Sequence, residues 1–292
     1  MHRYLLHNGA IRETSEALIS PGQTGFLNGW GVFSTIRVAD GVLFAFERHY
    51  SRMRQDAERL RVPFAVSSTE LEQSLLQLAG ANGAANATLR VAVVRNRGGI
   101  WEGPRIARDA DLIAFTADLA DWGEGVKLGY MPNARFAASP FSGAKITSWA
   151  QNLVQYEEAH ERGLDEYILL NEHGEVSECT SANIFVIEGD HVCTPPLASS
   201  GCLPGVTRAL LLEEIQVSGL TIAERELTPA DVESSDQAFI TSTTRDLLAV
   251  SEIEGDRMAQ EPTKLSRLRQ AFLAYRKEYI AEHALGRETA SQ

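Results

Sequence analysis

The pattern of apolar and polar positions predicts strands and helices in alternation over the first third of the chain. Strands are predicted at residues 32–38, 42–46, 89–94 and 111–116. Helices are predicted at residues 49–60 and 69–79, the first ended by Pro63 and the second begun by Ser68 or Thr69. The turn Ala39-Asp40-Gly41 lies between the first two strands, so this part of the chain is expected to contain a β-hairpin.

The remainder of the chain shows a denser β pattern between helical segments. Strands are predicted at 126–130, at 237–240 and repeatedly between 166 and 194, and helices at 148–162, 209–217 and 263–283. A polar, glycine-bearing run at residues 117–125 marks a domain boundary. We therefore expect an α+β protein with a smaller N-terminal domain at 1–120 and a larger C-terminal domain at 121–292.

The composition is that of an ordinary globular protein. The 292 residues are 44% hydrophobic and 23% charged, with a net charge of -12. An acidic chain without a basic run repels a phosphate backbone, so no nucleic-acid partner is expected. No segment is long and apolar enough to cross a bilayer, and no signal peptide is recognisable, so no membrane partner is expected. No metal site is expected either.

The cysteine content indicates a compartment for the protein. There are three cysteines, Cys179, Cys193 and Cys202, an odd number in a long chain. This usage argues against a disulfide framework and for a reducing environment. We therefore expect the protein in the cytoplasm.

Lys145 differs from the other lysines of the chain. Only four lysines are present, and three of them lie at a strand start or on a polar helix. Lys145 instead lies in the segment Phe-Ser-Gly-Ala-Lys-Ile-Thr-Ser-Trp, which is small and apolar. Such surroundings disfavour the ammonium form and make the amine a nucleophile toward an aldehyde. Taken alone, this environment also fits a structural lysine.

Two further elements supply groups that would complement a phosphorylated ligand. Glu178 ends a strand and is followed by small polar residues, which places it at a cleft, although an exposed glutamate fits the pattern as well. The run Leu-Pro-Gly-Val-Thr-Arg at 203–208 opens a helix, where free N–H groups bind phosphate. Hydroxyls at Thr241–Thr244 and the guanidinium of Arg52 are further candidates for binding a phosphate.

The motifs around Arg52, Lys145, Glu178, Gly205 and Thr243, in the order in which they occur along the chain, resemble those of the class IV aminotransferases. The resemblance runs from His49-Tyr-Ser-Arg-Met53 through Lys145, Glu178-Cys-Thr-Ser-Ala-Asn-Ile-Phe185 and 203–208 to Phe239-Ile-Thr-Ser-Thr-Thr-Arg245, about 250 residues in the right order. The group includes branched-chain and D-amino-acid aminotransferases and aminodeoxychorismate lyase. The resemblance implies the fold type IV architecture: a small N-terminal α/β domain and a larger C-terminal β-barrel-like domain with flanking helices, which carries the cofactor lysine.

The resemblance also implies a cofactor and the residues that hold it. The cofactor is pyridoxal 5'-phosphate, carried by Lys145, which also moves the proton from the substrate carbon. Glu178 pairs with the pyridine nitrogen and keeps it protonated. The phosphate ligands are Arg52, Val206, Thr207, Ser242 and Thr243. Substrate contacts are expected from Phe33, Arg37, Arg90, Arg97 and Thr244. A homodimer is implied, in which the partner lines part of the pocket.

Substrate choice is less well defined than cofactor chemistry. Branched-chain enzymes carry a Tyr-Ile-Arg-Pro run, and here Thr88-Leu-Arg-Val91 stands in its place, so that Arg90 remains to meet an acidic co-substrate such as glutamate. The tyrosine five residues beyond the lysine is Ala150 here, with Trp149 beside it. The Arg-x-His pair of D-amino-acid enzymes is absent from residues 95–101. Arg37, Arg97 and Arg135 are carboxylate binders or structural ion-pair partners.

Three functions therefore follow as alternatives. The favoured one is an aminotransferase that acts between an amino acid, branched-chain or glutamate, and an α-keto acid. The second is an aminodeoxychorismate lyase that releases pyruvate and forms 4-aminobenzoate, because residues 33–38 and 94–99 resemble that enzyme. The third is a non-catalytic protein that binds the cofactor or a metabolite. The joint presence of lysine, carboxylate and phosphate ligands argues against the third.

Overall fold

The computed structural model describes residues 1–16, 22–98, 106–258 and 262–290. Residues 99–101, the end of the segment that lacks the Arg-x-His pair, lie outside these ranges. The chain divides into two compact units. The first comprises Met1–Ala120, Ala144–Trp149 and Arg276–Gln292, and the second Asp121–Gly143 and Ala150–Tyr275.

The first unit is built on a mixed layer of one sheet and two long helices. Its strands are β1 (Tyr4–His7), β2 (Ala10–Glu13), β3 (Gly31–Ala39), β4 (Val42–Leu43), β5 (Ala87–Arg95) and β6 (Ala110–Ala117). Its helices before residue 120 are α1 (Thr24–Asn28), α2 (Phe46–Arg59) and α3 (Ser68–Ala81), with a 3-10 turn at Thr14–Glu16. Among the described residues the strand order is β2-β1-β6-β5-β3-β4, and each pair is antiparallel.

The two faces of this sheet differ in chemistry because side chains alternate along a strand. Ile36 on β3 pairs with Leu89 on β5, and both lie in the apolar core. The opposite face carries Thr35, which pairs with Arg90, and Arg37, which lies two residues along. These three residues are partly exposed. One face therefore stabilises the unit, and the other presents charged groups.

The predicted hairpin and helices occur with shifted ends. Strand β4 has only two residues, and α2 begins at Phe46, three residues before the predicted helix start. Helix α3 is capped by Ser67 instead of Ser68 or Thr69, because the Ser67 side chain accepts from Glu70 N while the Glu70 carboxylate accepts from Ser67 N. Gly80 lies inside α3, not beyond its end.

The second unit contains a curled, half-barrel sheet with flanking helices. Its described strands are β7 (Gly125–Met131), β8 (Glu166–Leu170), β9 (Val176–Cys179), β10 (Asn183–Glu188), β11 (His191–Thr194), β12 (Thr221–Glu224), β13 (Gln237–Ser242), β14 (Asp246–Ile253) and β15 (Asp256–Arg257). Their order is β12-β11-β10-β13-β14-β7-β8-β9, with β15 on β14. The pairs β11–β12, β14–β7 and β7–β8 are parallel.

Helices complete the second unit. They are α4 (Ala150–Glu161), α5 (Leu197–Ser200), α6 (Val206–Glu213), α7 (Pro229–Ser234) and α8 (Pro262–Ala290), whose last part belongs to the first unit. Helix α6 begins at Val206, three residues before the predicted start, because its first turn had been assigned to the preceding loop. Helix α4 begins at Ala150, since Ser148 is held outside the helix by a hydrogen bond to Gly29 O within the first unit.

The core of the second unit is aliphatic and includes two of the cysteines. Cys179 and Cys193 lie in this cluster, and all three cysteines are buried and free. Burial, together with nearby carboxylate charge, raises the pKa of the Cys202 thiol to about 11. Thiols of this kind are not reactive at neutral pH.

Within the described ranges, no helix has the length and apolar character that crossing a membrane requires.

Candidate functional site

The segment that carries Lys145 forms part of the first unit. Phe33 N donates to Lys145 O at 3.1 Å, Thr147 N donates to Gly31 O at 2.9 Å, and Ile146 pairs with Val32 as an isolated bridge. The segment thus lies along strand β3. Main-chain pairing over such a sequence separation leaves no local signal, and the domain bounds 1–120 and 121–292 stay a prediction.

Gly31 permits this close approach of the two segments. A Cβ atom at Gly31 would lie 2.7 Å from Val93 O and 3.0 Å from Thr147 Oγ1, so a side chain does not fit there. The Lys145 amine lies 4.7 Å from the centre of the Phe33 ring. Trp149 packs edge-on against the same ring, with 6.2 Å between the ring centres. The amine is therefore placed beside aromatic side chains.

Asp56 contacts the main chain of Lys145. Its carboxylate Oδ2 accepts from Lys145 N at 3.1 Å, and the residue is 2% exposed. Burial raises the pKa of Asp56, whereas the hydrogen bond from Lys145 N and the charges of Arg52, Arg59 and Lys145 oppose the rise. The sequence analysis missed this residue. The only local signal was its position on α2, four residues and so one helical turn after Arg52.

Arg52 lies on the buried side of α2, next to β3. Its Nη2 donates to Ser34 Oγ at 2.9 Å, and His49 Nδ1 lies 2.8 Å from the same oxygen. Burial lowers the pKa of Arg52 to about 10, with Asp56 opposing the effect. Burial, together with the charges of Arg52 and Lys145, lowers the pKa of His49 well below its usual range. A buried guanidinium of this kind is stabilised by an anionic ligand.

The predicted substrate residues Phe33, Arg37 and Arg90 belong to the charged face of the first sheet. The guanidinium carbon of Arg90 lies 3.9 Å from the centre of the Phe33 ring. Burial lowers the pKa of Arg90. Arg37 lies on β3 opposite Thr88, on the same face as Arg90. The structure thus brings two predicted arginines and an aromatic ring together on one face.

Arg97, unlike Arg37 and Arg90, does not lie on a strand of the first sheet. It is exposed, its Nε and Nη2 donate to Ile106 O, and its Nη1 lies 3.3 Å from Asp109 Oδ1. These contacts join Arg97, just after β5, to Ile106 and Asp109, just before β6. Its assignment as a substrate ligand stays a prediction.

Glu178 lies at the end of β9 in the second unit, 8% exposed. Its Oε1 accepts from Arg135 Nε at 3.0 Å, and its Oε2 accepts from Leu203 N at 3.0 Å. Both carboxylate oxygens of Glu178 thus have a hydrogen-bond donor, one a guanidinium and the other a main-chain N–H. Arg135, considered from sequence as a carboxylate binder, is therefore the ion-pair partner of Glu178.

Val206 and Thr207 form the first turn of α6. Gly205 occupies the N-cap position, and no side chain caps the helix. A Cβ atom at Gly205 would lie 2.0 Å from Asn183 Oδ1, and the Asn183 amide donates to Leu203 O at 2.9 Å. Only glycine fits this turn. The N–H groups of the first turn have no side-chain cap and so suit an anion.

Ser242, Thr243 and Thr244 lie at the turn between β13 and β14, and all three are partly exposed. Ser242 Oγ accepts from Arg245 N at 3.2 Å and lies 3.4 Å from Thr244 Oγ1. The Arg245 guanidinium lies 2.5 Å from the carboxylate of Glu166, which is fully buried. The turn that carries the predicted phosphate ligands is thus anchored by a buried ion pair.

The groups present fit pyridoxal phosphate. The first unit supplies an amine for its aldehyde and the buried Arg52 guanidinium for its phosphate. The second unit supplies the Glu178 carboxylate for its pyridine nitrogen and, at the start of α6, uncapped N–H groups for its phosphate. The roles of the individual residues stay predictions.

The fold is that of the aminotransferases of fold type IV. The structure of the Escherichia coli branched-chain amino acid aminotransferase superposes with a TM-score of 0.86 over 94% of either chain, at 22% identity. Similarity of this extent confirms the predicted architecture, with a half-barrel sheet in the second unit.

The sequence belongs to the class IV aminotransferase family, whose model matches residues 31–253. A Methanocaldococcus jannaschii protein with the provisional name branched-chain-amino-acid aminotransferase is 28% identical over 251 residues, which are 85% of this chain and 87% of the relative. The aminodeoxychorismate lyase of Bacillus subtilis is 27% identical over 257 residues, 85% of either chain. The protein is thus a pyridoxal-phosphate enzyme of this family, and the predicted family and cofactor are confirmed.

Proposed function

We propose that the protein moves an amino group between an amino acid, branched-chain or glutamate, and an α-keto acid, with Lys145 as the catalytic residue. The observation that carries this proposal is the position of Lys145 beside strand β3. There its amine lies 4.7 Å from the ring of Phe33, on which Arg90 also lies. An amine, an apolar ring and a guanidinium are the groups that an amino acid requires from such a site.

The chain's own residues have separate tasks in this reaction. Pyridoxal phosphate, when bound, supplies the ring that delocalises the negative charge formed at the substrate α-carbon. The Lys145 amine would hold the cofactor until the substrate amine takes its place, and the released amine would then move the proton from that carbon. Arg52 and the first turn of α6 would bind the phosphate. The Glu178 carboxylate, which pairs with Arg135, would hold a proton on the pyridine nitrogen.

The substrate preference follows from the charged face of the first sheet. The Phe33 ring offers an apolar surface for an aliphatic side chain. Arg90 offers a cation for a carboxylate. A site that binds a branched-chain donor and glutamate in turn requires both an apolar surface and a cation. Phe33 and Arg90 supply them side by side, with 3.9 Å between the guanidinium carbon and the ring centre.

The lyase is the second candidate, and a specific observation favours it. Arg37 and Arg90 lie on the same face of the sheet, so they could bind a substrate with two carboxylates. Aminodeoxychorismate carries two. The similarity to the Bacillus subtilis lyase supports this alternative. It covers 85% of this chain, as does the similarity to the Methanocaldococcus jannaschii protein.

A homodimer in the cytoplasm is the proposed state of the enzyme. Phe26 and Leu27 are exposed in the first unit, as are Leu153 and Val154 in the second, and large exposed apolar side chains are typical of interfaces. Free, buried cysteines agree with a reducing compartment. Light scattering coupled to gel filtration, with a mass of twice 32.0 kDa expected, tests the dimer.

Spectroscopy with separate donors tests the proposed reaction. The purified protein is loaded with pyridoxal phosphate, and L-leucine, L-glutamate, D-alanine and aminodeoxychorismate are added one at a time. A transaminase loses the long-wavelength band with L-leucine or L-glutamate and forms the corresponding keto acid. A lyase keeps turning over aminodeoxychorismate and releases pyruvate and 4-aminobenzoate. A band that no compound changes would support the non-catalytic binder and contradict both enzymatic proposals.

A further inference from the structure

Asp56 is a buried acid that the reaction as described does not use. It lies on α2 and is 2% exposed, yet its carboxylate is directed at the main chain of Lys145, 89 residues along the sequence. A carboxylate in such a place loses hydration, so it persists only where hydrogen bonds and cations compensate. The compensating groups are those of the cofactor site.

The groups that face Asp56 are all cationic or neutral. On α2 they are Arg52 and Arg59, whose Nη1 lies 3.8 Å from Asp56 Oδ1. On the segment beside β3 the facing residue is Lys145, which contributes both its main-chain N–H and its side-chain charge.

We propose that Asp56 is a positioning residue that fixes the main chain of Lys145 through the hydrogen bond to its N–H and, by its negative charge, raises the proton affinity of the Lys145 side-chain nitrogen. This inference rests on the proposed role of Lys145 in holding the cofactor. The hydrogen bond and the charge are separate effects. An asparagine keeps an acceptor oxygen and removes the charge, whereas an alanine removes both.

The test compares Asp56→Asn and Asp56→Ala with wild type and with Glu58→Gln. Glu58 is exposed on the same helix, so Glu58→Gln removes an equal charge without touching Lys145. Each protein is loaded with pyridoxal phosphate, and two quantities are measured: the pH midpoint of the interconversion of its absorption bands, and the dissociation constant for the cofactor by equilibrium dialysis at pH 8. Neither measurement depends on turnover.

The charge effect predicts a lower pH midpoint in Asp56→Asn, by about half a unit or more, because an anion near a protonated nitrogen favours its charged form. The dissociation constant of Asp56→Asn should stay within about threefold of wild type, since the acceptor remains. Asp56→Ala should show the lowered midpoint and also bind the cofactor about tenfold more weakly, because the lysine main chain loses its partner. Glu58→Gln should match wild type in both quantities.

The outcomes separate this inference from the proposed function. If wild type shows no long-wavelength band, the role of Lys145 fails first. If the band is present and Asp56→Asn has the midpoint of wild type, the charge effect is wrong. If Asp56→Ala folds and retains wild-type affinity, the positioning role is wrong. Should Asp56→Ala not fold, Asp56→Asn decides the charge effect, and Asp56→Ser, with a shorter acceptor, decides the hydrogen bond.

Discussion

The guanidinium of Arg90 lies on the ring of Phe33, with 3.9 Å between its carbon and the ring centre. The two residues come from different strands, β5 and β3, and project from the same face because Arg90 pairs with Thr35, two residues from Phe33. Arg90 is partly buried, and this burial lowers the pKa of its guanidinium. A carboxylate that binds there would meet a cation with few competing water molecules.

Replacement of Arg90 should separate the two classes of amino donor. In Arg90→Met, the KM for glutamate should rise by about tenfold or more, because a charge-assisted bond to its side-chain carboxylate is lost. The KM for leucine should stay within about threefold if Arg90 serves the side-chain carboxylate alone. Steady-state kinetics with both donors measures this, and Arg54→Met, exposed on α2, is the matched control. An equal rise for leucine and glutamate would contradict this role of Arg90.

Arg52 should distinguish the phosphorylated cofactor from its dephosphorylated form. Arg52→Gln should weaken binding of pyridoxal phosphate by about 10- to 100-fold, the loss expected for a hydrogen bond to a charged group. Binding of pyridoxal, which has no phosphate, should change little. Absorption titrations of both compounds give the ratio, with Arg54→Gln as the control. A ratio equal to that of wild type would show that Arg52 does not bind the phosphate.

The ion pair of Arg245 and Glu166 should contribute strongly to stability through its burial. The carboxylate is 0% exposed and the guanidinium side chain 5%, and Arg245 also lies 3.8 Å from the ring centre of Trp122. Arg245→Met leaves a buried carboxylate without its cation and should lower the free energy of unfolding by about 3–5 kcal/mol.

The matched control for this pair is Arg162→Met. Arg162 pairs with Glu254 at 2.9 Å on the surface, where each side chain is more than a third exposed. Its loss should cost no more than about 1 kcal/mol. Urea denaturation of the cofactor-free proteins compares the two variants. Similar losses for both would show that the buried pair adds no more than a surface pair.

The lowered pKa of His49 predicts that the free energy of unfolding depends on pH. Burial and two nearby cations lower its pKa well below the usual value, so it stays neutral in the folded protein while it protonates in the unfolded chain near pH 6.5. The unfolded state therefore binds more protons below about pH 6.5, and stability is lost as the pH falls. His49 should account for up to about 1.4 kcal/mol per pH unit of this loss.

The variant His49→Gln isolates this contribution. It keeps a polar group next to Ser34 and removes the titration. The free energy of unfolding between about pH 6.5 and 5 should therefore fall less steeply in His49→Gln than in wild type. Denaturation at four pH values measures both slopes. Parallel slopes would mean that His49 is protonated in the folded protein.

The sequence predicted the architecture and the chemistry better than the placement of single elements. The motif around Arg52 and the turn at Gly205 are local patterns, so their structures could be anticipated from neighbouring residues. The pairing of Lys145 with Phe33 and the hydrogen bond to Asp56 join residues about 90 or more positions apart. No periodicity of a single sequence contains such contacts, and Asp56 was therefore missed.

The arginines illustrate the same limit. From sequence, Arg37, Arg97 and Arg135 were equivalent candidates for carboxylate binding. In the structure Arg135 pairs with Glu178, and Arg97 binds Ile106 O and Asp109. Arg37 lies on the charged face of the first sheet. Strand register decides which side of a sheet a residue occupies, and register depends on the partner strand.

The most direct test of the account is to locate the lysine that holds the cofactor. The protein is loaded with pyridoxal phosphate, reduced with borohydride to make the attachment permanent, digested and analysed by mass spectrometry. The account predicts that the label lies on the peptide with Lys145, that Lys145→Ala lacks both label and long-wavelength band, and that Lys277→Ala, an exposed lysine on α8, keeps both. A label on another lysine, or an unchanged band in Lys145→Ala, would contradict it.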